Sequence, residues 1–358
     1  MIKNRLACFR LLIFLFCSVT ITALAKEPVK GNKNRAISVI LDTDMGNDID
    51  DALALDMLYK YMDMGKINLL GIMLNKDYRY SPEYIDIMAT WYGYPNIPIA
   101  ALKKGDSLQV DDNNYTKTVS GLQLKGKPIF KRTIKNYNSL PQPVKLYRKL
   151  LSEQPEKSVT IISIGFLTNL ARLLESQPDK FSTLNGKELV SKKVKLLSIM
   201  GGSFTLKPYA EYNILMDIKS AQKVFSIWPS KIVASPFELG DSIRYPGKSI
   251  ENDFKWIESH PLVEGYKAYN PNKTYDRSTW DLTSVLYVYN PTKLFFSKSN
   301  AGTISVDDKG NTHFVESKNG KHFFLNTSAE QRNSILNYFI HLISQKPVKY
   351  SKEIKNEN

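Results

Sequence analysis

The sequence predicts an α/β fold: an open, mostly parallel, Rossmann-like sheet with helices on both faces and a small antiparallel C-terminal appendage. Three observations carry this. Apolar runs such as AISVILDTD (36–44), INLLGIMLN (67–75), SVTIISIG (158–165) and VKLLSIMGG (194–202) each lead into a segment with helical spacing, the alternation of a parallel sheet covered by helices. The runs are apolar throughout, as strands buried on both faces are. After residue 300 the pattern changes: AGTISVDDKGNTHFVESKNGKHFFLN (301–326) alternates and is broken by DKGN and KNG, which is hairpin-turn chemistry.

The elements follow in order. DALALDMLYKYMDMG (51–65) has apolar residues at helical spacing and closes on Gly65. SPEYIDIMATWYG (81–93) predicts a helix with Ser81 as N-cap, Pro82 at its first position and Gly93 at its end. The polar, Lys- and Asn-rich stretch 103–138 is expected to form surface loops. VKLYRKLLSEQ (144–154), FLTNLARLLESQ (166–177) and SAQKVFSIW (220–228) read as helices, and KIVASPFELG (231–240) opens with a strand. A helix over 328–344 closes the domain, and the basic tail 346–358 is expected to be disordered. No repeat or low-complexity linker divides residues 26–358, so a single domain is expected.

The chain begins with Lys3, Arg5 and Arg10, then LLIFLFCSVTITALA (11–25), which ends in Ala23-Leu24-Ala25. That is the layout of a cleavable secretory signal, with cleavage after Ala25, and the apolar stretch is short for a membrane span. A lipoprotein signal on Cys17 is the rival, but bulky Phe16 stands where a small residue is wanted. The expectation is an exported protein, periplasmic or extracellular, with no transmembrane segment. Cys8 and Cys17 are the only cysteines, so the mature chain has no disulfide, thiolate metal site or cysteine nucleophile. Losing Lys3, Arg5 and Arg10 lowers the formal charge from +14 to +11. The lysines are scattered, and no zinc-finger spacing, RNP-like motif or single basic helix accompanies them, so a nucleic-acid partner is not expected.

Against this basic background, ILDTDMGNDIDDALAL (40–55) crowds Asp42, Asp44, Asp48, Asp50 and Asp51 between a strand and a helix. Ligands of open α/β sheets bind at such strand ends. A helix N-terminus favours each negative charge by up to about 1 kcal/mol. Two carboxylates about 4 Å apart repel by roughly 4 kcal/mol at an effective dielectric of 20. The dipole therefore loses, and either the acids splay into water, with Asp48 or Asp50 capping the helix, or a cation sits among them. Carboxylates without His or Cys suit Ca²⁺ or Mg²⁺. No register supplies an EF-hand loop. The D-x-D-x-[TV] turn of haloacid-dehalogenase phosphatases fits Asp42 and Asp44 but fails at Gly46.

The segment DTDMGNDIDDA (42–52) resembles the D-x-D-x-G-x-D-D-A signature of the inosine–uridine-preferring nucleoside hydrolase superfamily, lengthened by two residues before the final Asp pair. Further stations follow in family order: Asn75 at the end of the second strand, GFLTN (165–169), MGGSF (200–204) with AEYN (210–213), and WDLTSVLY (280–287). The resemblance spans roughly 37–289 and implies a Ca²⁺-dependent hydrolase of the N-glycosidic bond of ribonucleosides, in a family where homo-oligomers are common. It implies Asp44 as general base and metal ligand. Asp51, the Thr168 carbonyl and Asp281 would complete the metal's protein ligands, with Asp42 in or next to the shell. Asp50, Asn75, Glu211 and Asn213 would grip the ribose hydroxyls, with Asp48 the alternative to Asp50; Asp50 is favoured because Asp50-Asp51-Ala52 keeps the D-D-A. Trp280 stands where some members carry a His that protonates the leaving base, and would stack on the base or serve the core. His260, His313, His322 and His341 all lie outside the matched motifs. Phe166 replaces a proline, which alters turn stiffness. Tyr78, Tyr80 and Tyr209 flank matched motifs, and Glu238 follows a strand. The alternatives are a catalytically weak riboside-binding protein of the same fold, and a hydrolase of a non-nucleoside N-riboside.

Overall fold

A computed structural model describes residues 36–103, 105, 114–207, 209–272 and 274–351. The expected signal segment and the tail beyond 351 lie outside them. The central sheet has ten strands, named here in chain order: β1 (Ile37–Thr43), β2 (Ile67–Leu74), β3 (Ile99–Ala100), β4 (Val159–Ser163), β5 (Val194–Met200), β6 (Lys231–Ser235), β7 (Ser297–Lys298), β8 (Gly302–Val306), β9 (Thr312–Glu316) and β10 (His322–Asn326). Their order is β9-β8-β10-β6-β5-β4-β1-β2-β3, with β7 beside β10. From β3 to β6 all pairs are parallel. The small antiparallel C-terminal part is present, and it is joined to the main sheet: β10 runs parallel to β6, His322 opposite Ile232.

Two apolar cores lie on opposite faces of the sheet. One is built by the helices Asp50–Asp63, Tyr80–Tyr92, Pro261–Tyr269, Trp280–Tyr289 and Ala329–Ser344. The other is built by Pro143–Ser152, Thr168–Glu175, Gly186–Lys193 and Ile218–Ile227. Strand side chains alternate between the faces. Val39 and Leu41 enter the first core, and Ile40 enters the second. The same alternation sends Thr43 towards the first helix and Asp42 towards Tyr147 on the other side.

Three local expectations are revised. Ser81 does not cap its helix; the cap position is Arg79, and the buried Ser81 hydroxyl donates to the Met45 carbonyl instead. Within the stretch expected to loop, the helix Tyr115–Gly121 carries the fully buried Tyr115. The tail stays packed through Ser351: Tyr350 lies 4.5 Å from the Trp91 ring centroid, and Lys349 Nζ donates to the Trp91 carbonyl at 3.0 Å. At the other end of the closing helix, Ser328 and Gln331 form a capping box.

Register puts the ends of the parallel strands on one edge: Asp42 lies opposite Ser163, Ser163 opposite Ile199, and Met200 opposite Ser235. The segments that leave this edge build the site.

Candidate active site

At this edge lies a cavity of about 810 Å³, lined among others by Asp44, Asp50, Asp51, Glu211, Asn213, Arg277, Trp280 and Asp281. Its acidic floor comes from two chain segments more than two hundred residues apart. Asp50 and Asp51 open the first helix, and Asp281 lies in the first turn of Trp280–Tyr289. One carboxylate oxygen from each of the three lies within 4.8 Å of the others. All three are buried, at 2%, 1% and 4% exposure. Burial first, and then their neighbours' charges, push these three carboxyls well above the usual carboxylate range. The Asp281 amide donates to Asp50 Oδ2 at 3.1 Å, and the Thr43 hydroxyl donates to Asp51 Oδ1. Two hydrogen bonds do not offset three converging buried charges. The donor set is hard oxygen on a compact scale, and it fits a divalent cation such as Ca²⁺ or Mg²⁺.

Asp44 sits just past β1. It accepts from the Asn47 side chain at 3.1 Å. Burial lifts its carboxyl to about 6, opposed by Lys76. Gly165 packs so close that a side chain there would come within 2.6 Å of the Asp44 amide. Gly46, at φ +106°, turns the acidic loop back, and the Tyr115 hydroxyl accepts from its amide at 3.0 Å.

The other residues singled out from the sequence divide. Asp48 does not join the floor: Arg277 grips it in bidentate fashion, Nε to Oδ1 at 2.9 Å and Nη2 to Oδ2, and the Tyr269 hydroxyl donates to it at 3.2 Å. Glu211 caps the helix Tyr212–Leu215, accepting from the amides of Gly202, Asn213 and Ile214 at 3.1, 2.9 and 3.3 Å. Burial lifts its carboxyl to about 7 against those bonds. Asn213 donates to the Met200 carbonyl at 3.3 Å. Both side chains remain at the cavity wall.

Asp42 lies beneath the cavity rather than in it. Its oxygens accept from Asn75 at 2.6 Å, Tyr147 at 2.7 Å and Asn169 at 3.3 Å. Burial still lifts it to about 7. Asn75 uses its amide nitrogen on that contact, its buried Oδ1 has no hydrogen-bond partner, and it does not line the cavity. Thr168 does not line it either: it begins a helix, and its hydroxyl donates to Asp217 at 2.5 Å. Of that segment it is Ile164, at the end of β4, that reaches the cavity. Glu238 accepts from the Phe204 amide at 3.0 Å, and Tyr78 and Tyr80 pack edge-on against each other, away from the cavity.

The upper wall is aromatic. Trp280 stacks on Phe237, with centroids 5.5 Å apart, and Phe237 meets Tyr209 at 4.6 Å. The Trp280 indole donates to the Phe237 carbonyl at 3.1 Å, so the ring is fixed. Arg277 lies 5.0 Å from the Trp280 ring and 5.3 Å from Tyr269. Sequence reasoning missed Arg277, Tyr269 and Phe237. Arg277 begins a two-residue strand, Arg277–Ser278, too short to show a periodic pattern, and its one signal was its place three residues before Trp280.

The cavity thus combines a carboxylate floor for a cation, a buried candidate base, polar groups for hydroxyls and an aromatic wall for a planar ring. The family model for inosine-uridine preferring nucleoside hydrolase matches residues 39–334. A pyrimidine-specific ribonucleoside hydrolase, RihA, of Enterobacter sp. (strain 638) is 29% identical over 199 residues, covering 53% of this chain and 56% of that protein. RihA of Escherichia coli (strain SMS-3-5 / SECEC) is 31% identical over 196 residues, covering 53% and 57%. The match thus spans little more than half the length of these relatives. The purine-preferring ribonucleoside hydrolase of Gardnerella vaginalis has the same fold at TM-score 0.64 and 17% identity, covering 86% of this chain and 98% of that one. The inosine-uridine preferring nucleoside hydrolase of Bacillus anthracis superimposes at TM-score 0.63 and 18% identity, covering 86% and 99%. The match over 39–334 runs from β1 through the loop that carries Asp44, Asp50 and Asp51 and past Asp281, and on that ground the chain belongs to the inosine-uridine preferring nucleoside hydrolase family.

Proposed function

We propose that the protein is an exported, Ca²⁺-dependent N-glycosidase that cleaves ribonucleosides to free base and ribose. The observation that carries this reading is the convergence of Asp50, Asp51 and Asp281 on the floor of an aromatic-walled cavity, with Asp44 beside them. Asp50, Asp51, Asp281 and Asp44 would hold the ion, with Ile164 nearer than Thr168 as a source of a main-chain ligand. When bound, the ion supplies Lewis acidity and offsets the charge of the floor.

The chain's own groups do the rest. Asp44 takes the proton of the water that attacks C1′; burial lifts its carboxyl to about 6 in the ion-free site, and a bound cation would pull it down again, so it is ionised and able to accept at pH 7. Glu211 and Asn213 face the same space and can hold sugar hydroxyls, contacts that strengthen as the ring flattens towards an oxocarbenium-like transition state. Trp280, Phe237 and Tyr209 offer a stacking surface to the base and exclude water from it. Asp42 ties the end of β1 to Asn75, Tyr147 and Asn169 next to the cavity. Export rests on the signal-like segment before residue 26. No helix among the described residues is long and apolar enough to cross a membrane.

The test is reducing-sugar release from inosine, adenosine, guanosine, uridine and cytidine, with Ca²⁺ and with a chelator. Release that needs the cation supports the reading. Cation binding by calorimetry without any release would turn it towards a riboside-binding protein.

A further inference from the structure

Breaking an N-glycosidic bond puts a pair of electrons on the departing base, and some group must receive that charge. Among the described residues no histidine lines the cavity. His260 is buried against Trp91, His322 accepts from the Ile304 amide, His313 pairs with Asp307, and His341 contacts Gln345. Tyr209, Tyr212 and Tyr269 do line it, but burial pushes all three phenols up, which weakens them as acids. The Tyr269 hydroxyl is moreover committed to Asp48.

One cation lines the same space. Arg277 uses Nε and Nη2 on Asp48 and is sandwiched between the Tyr269 and Trp280 rings. Nη1, with two donor hydrogens, has no acceptor among the described residues. The Asp48 clamp and the two rings fix the plane of the guanidinium beside the wall on which a base would stack. Guanidinium does not give up its proton at neutral pH. It can, however, donate a fixed hydrogen bond from Nη1 to an atom that becomes anionic.

Resting on the nucleoside hydrolase reading, we propose that Arg277 is the leaving-group residue of this enzyme, stabilising the departing base as an anion where an imidazolium acid is absent. The C1′–N bond breaks with both electrons passing to the base. The water oxygen bonds to C1′, and its proton goes to Asp44. The base anion, its charge shared with a ring carbonyl, is held by Arg277 Nη1 and takes a proton from solvent after release. The interaction is stronger in the transition state than in the bound nucleoside, so it lowers the barrier rather than merely tightening binding. A preorganised donor of this kind accounts for roughly 10²–10³-fold in rate.

The experiment compares uridine, 5-fluorouridine and 4-nitrophenyl riboside as substrates of the full chain. The last two carry better leaving groups: 5-fluorouracil in the uridine frame, and 4-nitrophenolate, which departs through oxygen and needs no donor. The variants are Arg277→Gln and the double variant Arg277→Gln/Asp48→Asn, which removes both charges so that no carboxylate is left unpaired. The expected result is a loss of roughly 10²–10³-fold in kcat on uridine. The loss should be smaller on 5-fluorouridine, and at least ten-fold smaller on 4-nitrophenyl riboside than on uridine. Equal losses on all three substrates in both variants would overturn the proposal and leave Arg277 a positioning residue for Asp48. A wild-type protein that cleaves none of them would sink the function reading itself, and this inference with it.

Discussion

The helix Asp50–Asp63 carries two buried acidic sites less than two turns apart, and they are solved in opposite ways. At its start, Asp50 and Asp51 meet Asp281; Arg277 opposes the charge of Asp50 and Lys76 that of Asp51, yet burial and mutual repulsion still push all three carboxyls up. Further along, Asp56 is fully buried but pairs with Lys60 Nζ at 3.0 Å and accepts from the Tyr92 hydroxyl. Lys60 in turn reaches the Ile343 carbonyl. A buried carboxylate needs a counter-charge. Where the chain supplies one, the site is closed and belongs to the core. At the open end three carboxylates converge beyond what those cations offset, and the site faces a cavity that a cation from outside fits.

The comparison can be broken most sharply by removing the base beside the open site. Asp44→Asn should lower hydrolysis by about 10³-fold even at saturating cation, with the melting temperature largely kept and cation binding weakened, since Asp44 is also a proposed ligand; a variant that retains more than a tenth of the activity rules Asp44 out as the base. At the closed site, Asp56→Asn leaves Lys60 buried without its partner and should cost about 3 kcal/mol in denaturant unfolding, while the Ca²⁺ dependence of activity stays as in the wild type. At the open site, the opposite sign is expected: Asp281→Asn should raise the melting temperature of the chelated protein, because it relieves like-charge repulsion, and weaken cation binding by roughly 10-fold or more. If the chelated variant melts lower instead, the floor is not electrostatically frustrated.

The smallest effect is a pH dependence. Asp42 and Glu211, both lifted to about 7, bind protons more tightly folded than unfolded. Their protonated forms favour the folded state, so stability of the chelated protein is greatest below the unfolded value near 4 and is lost as pH rises through about 7. Asp44, lifted to about 6, adds in the same direction. Melting curves from pH 4.5 to 8 with chelator should therefore slope downwards, and Ca²⁺ should flatten the slope. A flat curve with chelator would mean that water reaches these carboxylates freely.

Much of the fold could be read from patterns. The apolar runs became the strands β1, β2, β4 and β5 because strands buried on both faces must be apolar throughout. The turn residues became hairpin turns: Gly310 in DKGN adopts φ +83°, a backbone that favours glycine. Ser81 shows the limit of local rules, since a hydroxyl suited to an N-cap was taken by the carbonyl of Met45, distant in sequence. Of the proposed site, the acidic loop was legible from its own charge crowding, and Glu211, Asn213, Trp280 and Asp281 through the family motifs that AEYN and WDLTSVLY resemble. Arg277 and Phe237 were not, since they matter only through what lies opposite them.

By itself, the sequence determined the succession of strands and helices and the crowding of carboxylates where a strand ends, because hydrophobic periodicity and charge are local properties of the chain. The tertiary structure decided which carboxylates converge. Strand alternation turned Asp42 to the opposite face, into the grip of Tyr147. Arg277 withdrew Asp48 from the floor. The packing of the helix Trp280–Tyr289 against the first helix brought Asp281 to Asp50 and Asp51. Convergence is a relation between segments distant in sequence, fixed by the burial of two apolar cores, and no local pattern contains it.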